Sequence, residues 1–328
     1  MSEQTCIEAI RRALRESLAE DESVFLLGED IGPRGGVFQA TAGLAAEFGD
    51  QRVLDTPLAE SGIVGVAIGA ALAGMRPVAE IQFADFVYPA LNQLLNEAAK
   101  LRYRSAGGWT CPLVVRMPYG GVHGGGLYHG GSVEAMFAHA PGLRVLSPST
   151  PTDAYSMLRW AIRCDDPVIF LEPKRIYASV RERLPEQQQP EAGAPATVVR
   201  RVGEDVTCVA WGLMLHVALA ASAQLEAEGI GVAVLDPRSL RPLDMAPILD
   251  SVRQTGRLCV VHEDTPTCAL GAEIGMRVVE EALFHLDAPP VRLTAPEIPG
   301  VPYAPELERL VVPSLERVTA ALRTLALY

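Results

Sequence analysis

Three short segments of the chain carry side chains whose types suit proton transfer and the binding of a heterocycle. Glu60 begins a Gly- and Ala-rich stretch, Phe86 follows an apolar run, and His129 stands among glycines. A carboxylate beside apolar residues has a raised pKa when it is buried, which fits it for acid–base work. A histidine titrates near neutrality and suits proton transfer. These three segments are therefore the candidates for a catalytic site.

Each candidate residue also has a structural explanation. A carboxylate in the first turn of a helix, as expected for Glu60, interacts favourably with the helix dipole. An aromatic side chain at a strand end, such as Phe86, packs in a core more often than it stacks on a ligand. His123 is a weaker candidate of the same kind as His129, whereas His139 is expected on a helix face. Residue type alone leaves these alternatives open.

Alternating strands and helices are expected to position these residues. Apolar runs predict strands and periodic or Ala-rich stretches predict helices. The predicted strands of the first 181 residues cover 24–27, 76–83, 112–117, 143–146 and 167–171, and the predicted helices cover 57–75, 89–103, 152–164 and an N-terminal helix capped by Thr5 and Glu8. Strict alternation favours a mostly parallel, doubly wound sheet with helices on both faces. Ligands bind at the carboxyl ends of such strands, where Gln82 and Phe86 are predicted.

A stretch rich in Pro and Gln divides the chain. Residues 182–196 (ERLPEQQQPEAGAPA) contain three prolines and three consecutive glutamines, which is typical of an interdomain linker. The pattern then restarts with predicted strands at 206–211, 232–235 and 258–262 and predicted helices at 216–228 and 272–284. We therefore predict an α/β fold with two domains, 1–181 and a smaller α/β domain at 197–328.

Composition excludes several classes of protein. Of the 328 residues, 49% are apolar and 21% are charged, which is too hydrophobic for an intrinsically disordered chain. A formal net charge of −12 argues against a nucleic-acid partner, since phosphate binding needs a basic face. The longest apolar stretch, 62–75, has 14 residues and four glycines, so no membrane span is predicted.

The distribution of cysteines and the N-terminal sequence indicate the cellular compartment in which the protein is expected. The six cysteines are scattered and form no CxxC pair, which indicates reduced thiols and no zinc site. The amphipathic N-terminal sequence lacks the apolar core of a signal peptide. We therefore expect a cytoplasmic protein.

Common nucleotide-binding and hydrolase motifs do not occur in the sequence. There is no GxGxxG after the first strand, no Walker lysine motif and no GxSxG. Residues 120–131 hold seven glycines in twelve positions and must form a loop. Such a loop is weak evidence for anion binding on its own.

Longer motifs carry a specific resemblance that covers nearly the whole chain. They are GED at 28–30, RGGVF at 34–38, DTPLAESGIVGVAIGAALAG at 55–74, EIQFADF at 80–86, NEAAKLRYRS at 96–105, the glycine loop with His129, SVEAMFAHAPGL at 132–143 and FLEPK at 170–174. The chain resembles the beta subunit of the thiamin-diphosphate-dependent decarboxylating component of 2-oxoacid dehydrogenase complexes. The branched-chain (3-methyl-2-oxobutanoate) type resembles it most, while pyruvate and acetoin homologues share much of the remainder. The resemblance implies a transketolase-like pyrimidine-binding domain followed by a transketolase C-terminal domain.

The resemblance implies roles for three cofactor-binding residues. In the family, a glutamate matching Glu60 contacts N1′ of the aminopyrimidine and promotes the imino tautomer, which deprotonates the thiazolium C2. The carbanion then attacks the 2-oxo group, and CO2 leaves because the thiazolium ring is an electron sink. An aromatic residue matching Phe86 stacks on the aminopyrimidine, although branched-chain relatives often have Tyr there. Gln82 is expected as a polar contact nearby.

The resemblance also assigns a role to His129. Its counterpart lies at the active-site entrance and is proposed to donate a proton when the lipoyl group is reductively acylated. Ser-Gln commonly follows in the family, but this chain has Gly130-Gly131, so two hydrogen-bonding side chains are missing and more loop freedom is expected. A second departure is Ala178, which replaces the arginine common after the tyrosine matching Tyr177.

A potassium ion held largely by backbone carbonyls is a further implication of the resemblance. The matching positions are Leu113, Val114, Ala161, Cys164 and Asp166. Carbonyl ligation leaves little side-chain signature, so the residues neither support nor exclude this ion.

The cofactor site is expected to be shared with a second chain. The family holds the diphosphate and magnesium through a GDG motif and a later asparagine, and Gly49-Asp50-Gln51 does not match it. We therefore expect an alpha subunit to hold magnesium and diphosphate in an α2β2 heterotetramer that acts on a small 2-oxoacid. A net charge of −12 suits docking onto a basic domain of a lipoyl-bearing acyltransferase core. The alternative of another class is a non-catalytic interaction subunit.

Overall fold

The computed structural model describes residues 3–121, 125–185 and 193–328, and the chain folds into two compact units. Unit 1 consists of Met1–Tyr119 and Met136–Pro195, and unit 2 consists of Gly120–Ala135 and Ala196–Tyr328. The segment that carries His129 thus belongs to unit 2. Within the described ranges, no helix has both the length and the apolar character that crossing a bilayer requires.

The secondary structure of both units alternates as expected. The strands up to residue 185 are β1 (Glu3–Thr5), β2 (Val24–Gly28), β3 (Val53–Asp55), β4 (Arg76–Glu80), β5 (Val114–Tyr119), β6 (Arg144–Leu146), β7 (Val168–Pro173) and β8 (Arg181–Arg183). The α-helices of the same part are α1 (Cys6–Glu20), α2 (Leu44–Phe48), α3 (Glu60–Leu72), α4 (Leu101–Arg104), α5 (Glu134–Ala138) and α6 (Pro151–Arg163). The later strands are β9 (Val198–Arg201), β10 (Val206–Ala210), β11 (Val232–Asp236), β12 (Ser239–Arg241), β13 (Leu258–Val261) and β14 (Val291–Leu293). The later α-helices are α7 (Leu213–Glu226), α8 (Ala246–Thr255), α9 (Leu270–Ala282), α10 (Pro305–Val311) and α11 (Leu315–Ala326).

Parallel strands form the centre of unit 1. They lie side by side in the order β6-β7-β5-β4-β2-β3. The central strands β2, β5 and β7 are buried along their whole length, which explains their continuous apolar runs. The predicted parallel α/β sheet is confirmed.

Unit 2 has its own mostly parallel sheet and core. The order is β14-β13-β10-β11-β9, in which β9 runs antiparallel to its neighbour β11 and the other pairs are parallel. Apolar residues of β10 and β11 pack with the buried faces of α7 and α11. The edge strand β9 was not predicted, because its half-buried VVRR sequence has no apolar run.

The first helix begins at a capping box, and the predicted linker begins with a strand. The Thr5 hydroxyl accepts from the Glu8 backbone N–H, and the Glu8 carboxylate accepts from the Thr5 N–H, which confirms the capping box. Residues 181–183, which overlap the start of the predicted linker at 182–196, form β8 and pair antiparallel with β1. Residues 186–192 of that linker lie outside the described residues.

The helix predicted at 89–103 is wrong as a single element. The chain instead forms 3-10 turns at Tyr88–Ala90 and Ala98–Lys100, a π-helix at Asn92–Glu97 and then α4. Near this break Gly142 approaches the carbonyl of Ala99 so closely that a Cβ on Gly142 would lie 1.9 Å from the oxygen. A tertiary contact of this kind is invisible to periodicity and overrides helix propensity.

A buried ion network ties the central strands of unit 1 together. The Arg116 guanidinium on β5 donates from Nε and Nη2 to the Glu172 carboxylate at 2.7 and 2.9 Å and from Nη1 to Glu80 at 2.7 Å. Tyr177 donates its hydroxyl hydrogen to the same Glu172. Burial raises the pKa of Glu80, and the positive charge of Arg116 opposes that rise. The network thus joins β4, β5 and β7 through side chains that water does not reach.

We expect Arg116→Met to destabilise the protein strongly. The substitution leaves two buried carboxylates without their cation, which costs about 3–5 kcal/mol in unfolding free energy. The matched control is Arg104→Met, which removes an exposed ion pair with Glu97 and costs less than about 1 kcal/mol. Urea unfolding measures both, and equal losses would contradict a structural role for the buried network.

Candidate functional site

The carboxyl ends of three adjacent strands bring polar side chains to one edge of unit 1. The register places Gly28 of β2 opposite the last residue of both β3 and β4. Glu29 follows β2, Glu60 begins α3 after β3, and Gln82 follows β4. This is the edge at which open α/β sheets bind ligands.

Contacts link these residues. The Gln82 side-chain amide donates to the Glu29 carbonyl oxygen at 3.5 Å, a long hydrogen bond. Burial raises the pKa of Glu29, and the nearby negative charges of Asp30 and Glu60 raise it further. Several carboxyl groups therefore share this edge, and Glu29 was not among the candidates chosen from the sequence. The signal was present in GED at 28–30, an acidic pair directly after a buried strand.

Glu60 stands at the first position of α3. Its carboxylate therefore lies at the positive end of the helix dipole. The preceding residue, Ala59, provides no side-chain cap for the helix. Glu60 is half-buried, and Leu58 just before it is 71% exposed. Unit 1 therefore supplies only part of the apolar environment expected around this carboxylate.

Phe86 ends a series of aromatic rings. It lies in a 3-10 turn after β4, with its ring centroid 5.5 Å from that of Phe83. Phe83 contacts Phe38 edge to face, and Phe38 contacts Tyr177 in the same way. Lys174 places its ammonium over the Phe83 ring at 5.7 Å from the centroid. Phe86 is half-buried, so it is held by neighbouring rings without being enclosed in the core.

His129 belongs to unit 2 and follows a 3-10 turn at Gly126–Tyr128. Its side chain is half-buried, and Nδ1 lies 3.1 Å from the Gly125 carbonyl oxygen. A carbonyl can only accept, so Nδ1 donates and Nε2 is the proton-accepting nitrogen of the neutral ring. His123 lies outside the described residues.

Hydrogen bonds hold the ends of the histidine segment, residues 120–131, and close packing constrains Gly126 within it. The Gly120 N–H donates to the Gly131 carbonyl at 3.0 Å, and the Gly121 N–H donates to the Glu263 carboxylate at 3.2 Å. Gly126 adopts φ +61° beside Tyr303, where a Cβ would lie 2.4 Å from the ring. Glycine is required at position 126 by both conformation and space.

A buried polar cluster follows the histidine segment, and sequence reasoning missed it. The Trp211 indole donates to Glu134 at 3.3 Å and stacks on the His262 ring at a centroid distance of 5.3 Å. Burial raises the pKa of Glu134 to about 8, and the charges of Asp264 and Glu263 add to this rise. Burial lowers the pKa of His262 to about 4. These residues come from three separate stretches of the chain, so no spacing in the sequence predicts that they form a cluster.

The five positions expected around potassium lie at or just before the start of β5, near the end of α6 and just before β7. They are Leu113, Val114, Ala161, Cys164 and Asp166. The Leu113 carbonyl accepts from the Val168 N–H at 2.8 Å, and the Cys164 carbonyl accepts from Arg76 at 3.3 Å. Within the described ranges, no group of three or more His, Cys, Asp or Glu side chains could hold a metal ion.

The sequence matches two family models. The transketolase pyrimidine-binding domain matches residues 2–179, and the transketolase C-terminal domain matches residues 195–318. A solved structure described as a split-gene transketolase, an inactive beta4 tetramer, has a TM-score of 0.78 at 24% identity and covers 99% of this chain and 98% of its own. The likeness to that structure shows the fold.

Curated relatives match along the whole chain. The 2-oxoisovalerate dehydrogenase subunit beta of Bacillus subtilis is 49% identical over 99% of both chains. The pyruvate dehydrogenase E1 component subunit beta of Acholeplasma laidlawii is 44% identical over 98% of both. With both transketolase domains present, the resemblance seen in the motifs is confirmed, and the chain belongs to the family of 2-oxoacid dehydrogenase E1 beta subunits.

Proposed function

We propose that the chain is the beta subunit of a branched-chain 2-oxoacid dehydrogenase, with pyruvate or acetoin as the alternative substrate. The observation that carries the proposal is the group of Glu29, Glu60 and Gln82 at the carboxyl edge of a pyrimidine-binding domain. The 49% identity to a 2-oxoisovalerate dehydrogenase subunit beta supports the branched-chain substrate.

The residues at this edge fit the aminopyrimidine half of thiamin diphosphate. A half-buried carboxylate, a side-chain amide and a half-buried aromatic ring suit a flat heterocycle with basic nitrogens. When bound, thiamin diphosphate supplies the electron sink for decarboxylation. Glu60 holds and returns the proton at N1′ of the aminopyrimidine. Phe86 stacks on the ring, and Gln82 is a polar contact beside it.

His129 acts in the second half of the reaction. Its Nδ1 is held at the Gly125 carbonyl, which orients Nε2. In this proposal the ring first takes up a proton at Nε2 and then delivers it to the sulfur that leaves when the other sulfur of the lipoyl disulfide is attacked. The half-exposed position of the ring suits a group that meets a substrate arriving from another protein.

Two kinds of partner complete the proposed enzyme. The sequence has no GDG motif, which supports an alpha subunit that holds the diphosphate and magnesium in an α2β2 assembly. The net negative charge supports docking onto a basic domain of a lipoyl-bearing acyltransferase core.

Potassium at the end of α6 is part of the proposal. Backbone carbonyls are hard oxygen donors, and each has two lone pairs, so one can still bind a cation while the other accepts an N–H. The carboxyl end of a helix also favours positive charge, part of which Arg76 already supplies.

The substitution Glu60→Gln tests the carboxylate. We expect decarboxylation by the reconstituted alpha and beta chains to fall by about 10²–10⁴-fold, because an amide cannot exchange the proton. Size-exclusion chromatography should show an unchanged assembly. Glu22→Gln, at an exposed position, is the control and should keep full activity. Full activity in Glu60→Gln would favour a non-catalytic interaction subunit.

Substrate preference separates the branches of the family. We expect the reconstituted enzyme, with an artificial electron acceptor, to use 3-methyl-2-oxobutanoate at least about tenfold better than pyruvate or acetoin, a ratio within reach of the 1–3 kcal/mol that a pocket gains per methylene. A preference for pyruvate would agree with the 44%-identical relative and overturn the branched-chain assignment while leaving the mechanism in place.

Exchange of potassium tests the carbonyl site. We expect the melting temperature of the assembly to be higher in potassium chloride than in choline chloride at equal ionic strength, since an ion bound only by the folded state stabilises it. Sodium chloride serves as the control for a smaller monovalent cation. Identical melting curves in all three salts would argue against the site.

A further inference from the structure

Residues 300–303 pack against the histidine segment inside unit 2, and each glycine there removes a side chain that would separate them. A Cβ on Gly130 would lie 3.0 Å from Cγ2 and 3.1 Å from Cβ of Val301. A Cβ on Gly300 would lie 2.9 Å from the side chain of Leu127. Residues 300 and 301 therefore contact the histidine segment on both sides of His129 along the chain.

The contact at Gly130 differs from the one at Gly126. Gly126 has a left-handed backbone and faces the Tyr303 ring, so any other residue is strained there. Gly130 does not have a positive φ, so its backbone conformation is open to other residues. What crowds a side chain at position 130 is the branched side chain of Val301, which would have to shift by a few tenths of an ångström to admit a Cβ.

His129 lies directly between these contacts. It is the residue before Gly130, and its ring is bonded through Nδ1 to the carbonyl of Gly125, the residue before Gly126. A displacement of the backbone at either glycine must move the imidazole. The contact with Val301 gives a spatial reason for a small residue at position 130.

We propose that Val301 is a positioning residue for acyl transfer, acting on His129 through its contact with Gly130. The proposal rests on the function proposed for His129. Val301 and the half-buried ring of His129 then act as one unit, in which glycine at 130 and a branched side chain at 301 are matched in size. The two positions should be energetically coupled, since residues in contact are not additive.

The experiment uses the reconstituted alpha and beta holoenzyme and measures two half-reactions. Decarboxylation is followed with an artificial electron acceptor, and acyl transfer is followed on an isolated lipoyl domain. We expect Gly130→Ala to lower acyl transfer roughly tenfold, because small displacements of a proton donor are costly, while decarboxylation changes little. The double variant Gly130→Ala/Val301→Ala should recover most of the lost rate, since the smaller side chain makes room for the new Cβ.

Two controls keep the result specific. Gly275→Ala lies in α9 of the same unit, where a Cβ would be 4.0 Å from Pro290, and it should change neither half-reaction. His129→Gln tests the underlying function, and its acyl transfer should fall by more than that of Gly130→Ala. Melting temperatures establish that each variant is folded.

Four results would overturn the proposal. Unchanged acyl transfer in Gly130→Ala, with a clear loss in His129→Gln, would remove the role of Val301 and keep that of His129. Equal losses in both half-reactions, or no recovery in the double variant, would show general damage instead of positioning. Unchanged acyl transfer in His129→Gln would reject the proposed function of His129 and this inference with it.

Discussion

The rest of unit 1 depends on one buried cation. Arg116 joins carboxylates at the ends of β4 and β7, and a charged group at this depth is tolerated only because both sides of its guanidinium are bonded. The same network holds Tyr177, which contacts Phe38 and so connects to the rings that end at Phe86. The buried ion network is thereby connected, through these aromatic contacts, to a residue that follows the carboxyl end of β4.

Unit 2 uses a different means to place its histidine. Glycines let two backbones meet, and carbonyl and carboxylate oxygens accept the N–H groups that this exposes. Burial raises the pKa of Glu134, which favours its neutral form and lowers the cost of placing this acid beside Trp211. Close packing and hydrogen bonds to the backbone thus hold the segment of His129 in place, whereas an ion network supports the aromatic rings that contact Phe86.

Much of the fold could be read from the sequence, because its signals are local. Apolar runs marked β2, β5, β7 and β10, and a capping box marked the start of α1, all of which the structure confirms. The helix expected at 89–103 is divided into 3-10, π and α segments, and a distant residue, Gly142, approaches the backbone there. The edge strand β9 was missed because an edge position needs no apolar run.

The sequence by itself determined the family, through its motifs, and the residue types proposed for the chemistry: a carboxylate at 60, an aromatic ring at 86 and a histidine at 129. Only the tertiary structure decided which groups accompany them. Strand register brings Glu29 and Gln82 to the edge where Glu60 lies, and chain folding brings Val301 onto Gly130 and Trp211 onto Glu134. These pairs are far apart in sequence, and their proximity follows from strand pairing and packing, which no local pattern encodes.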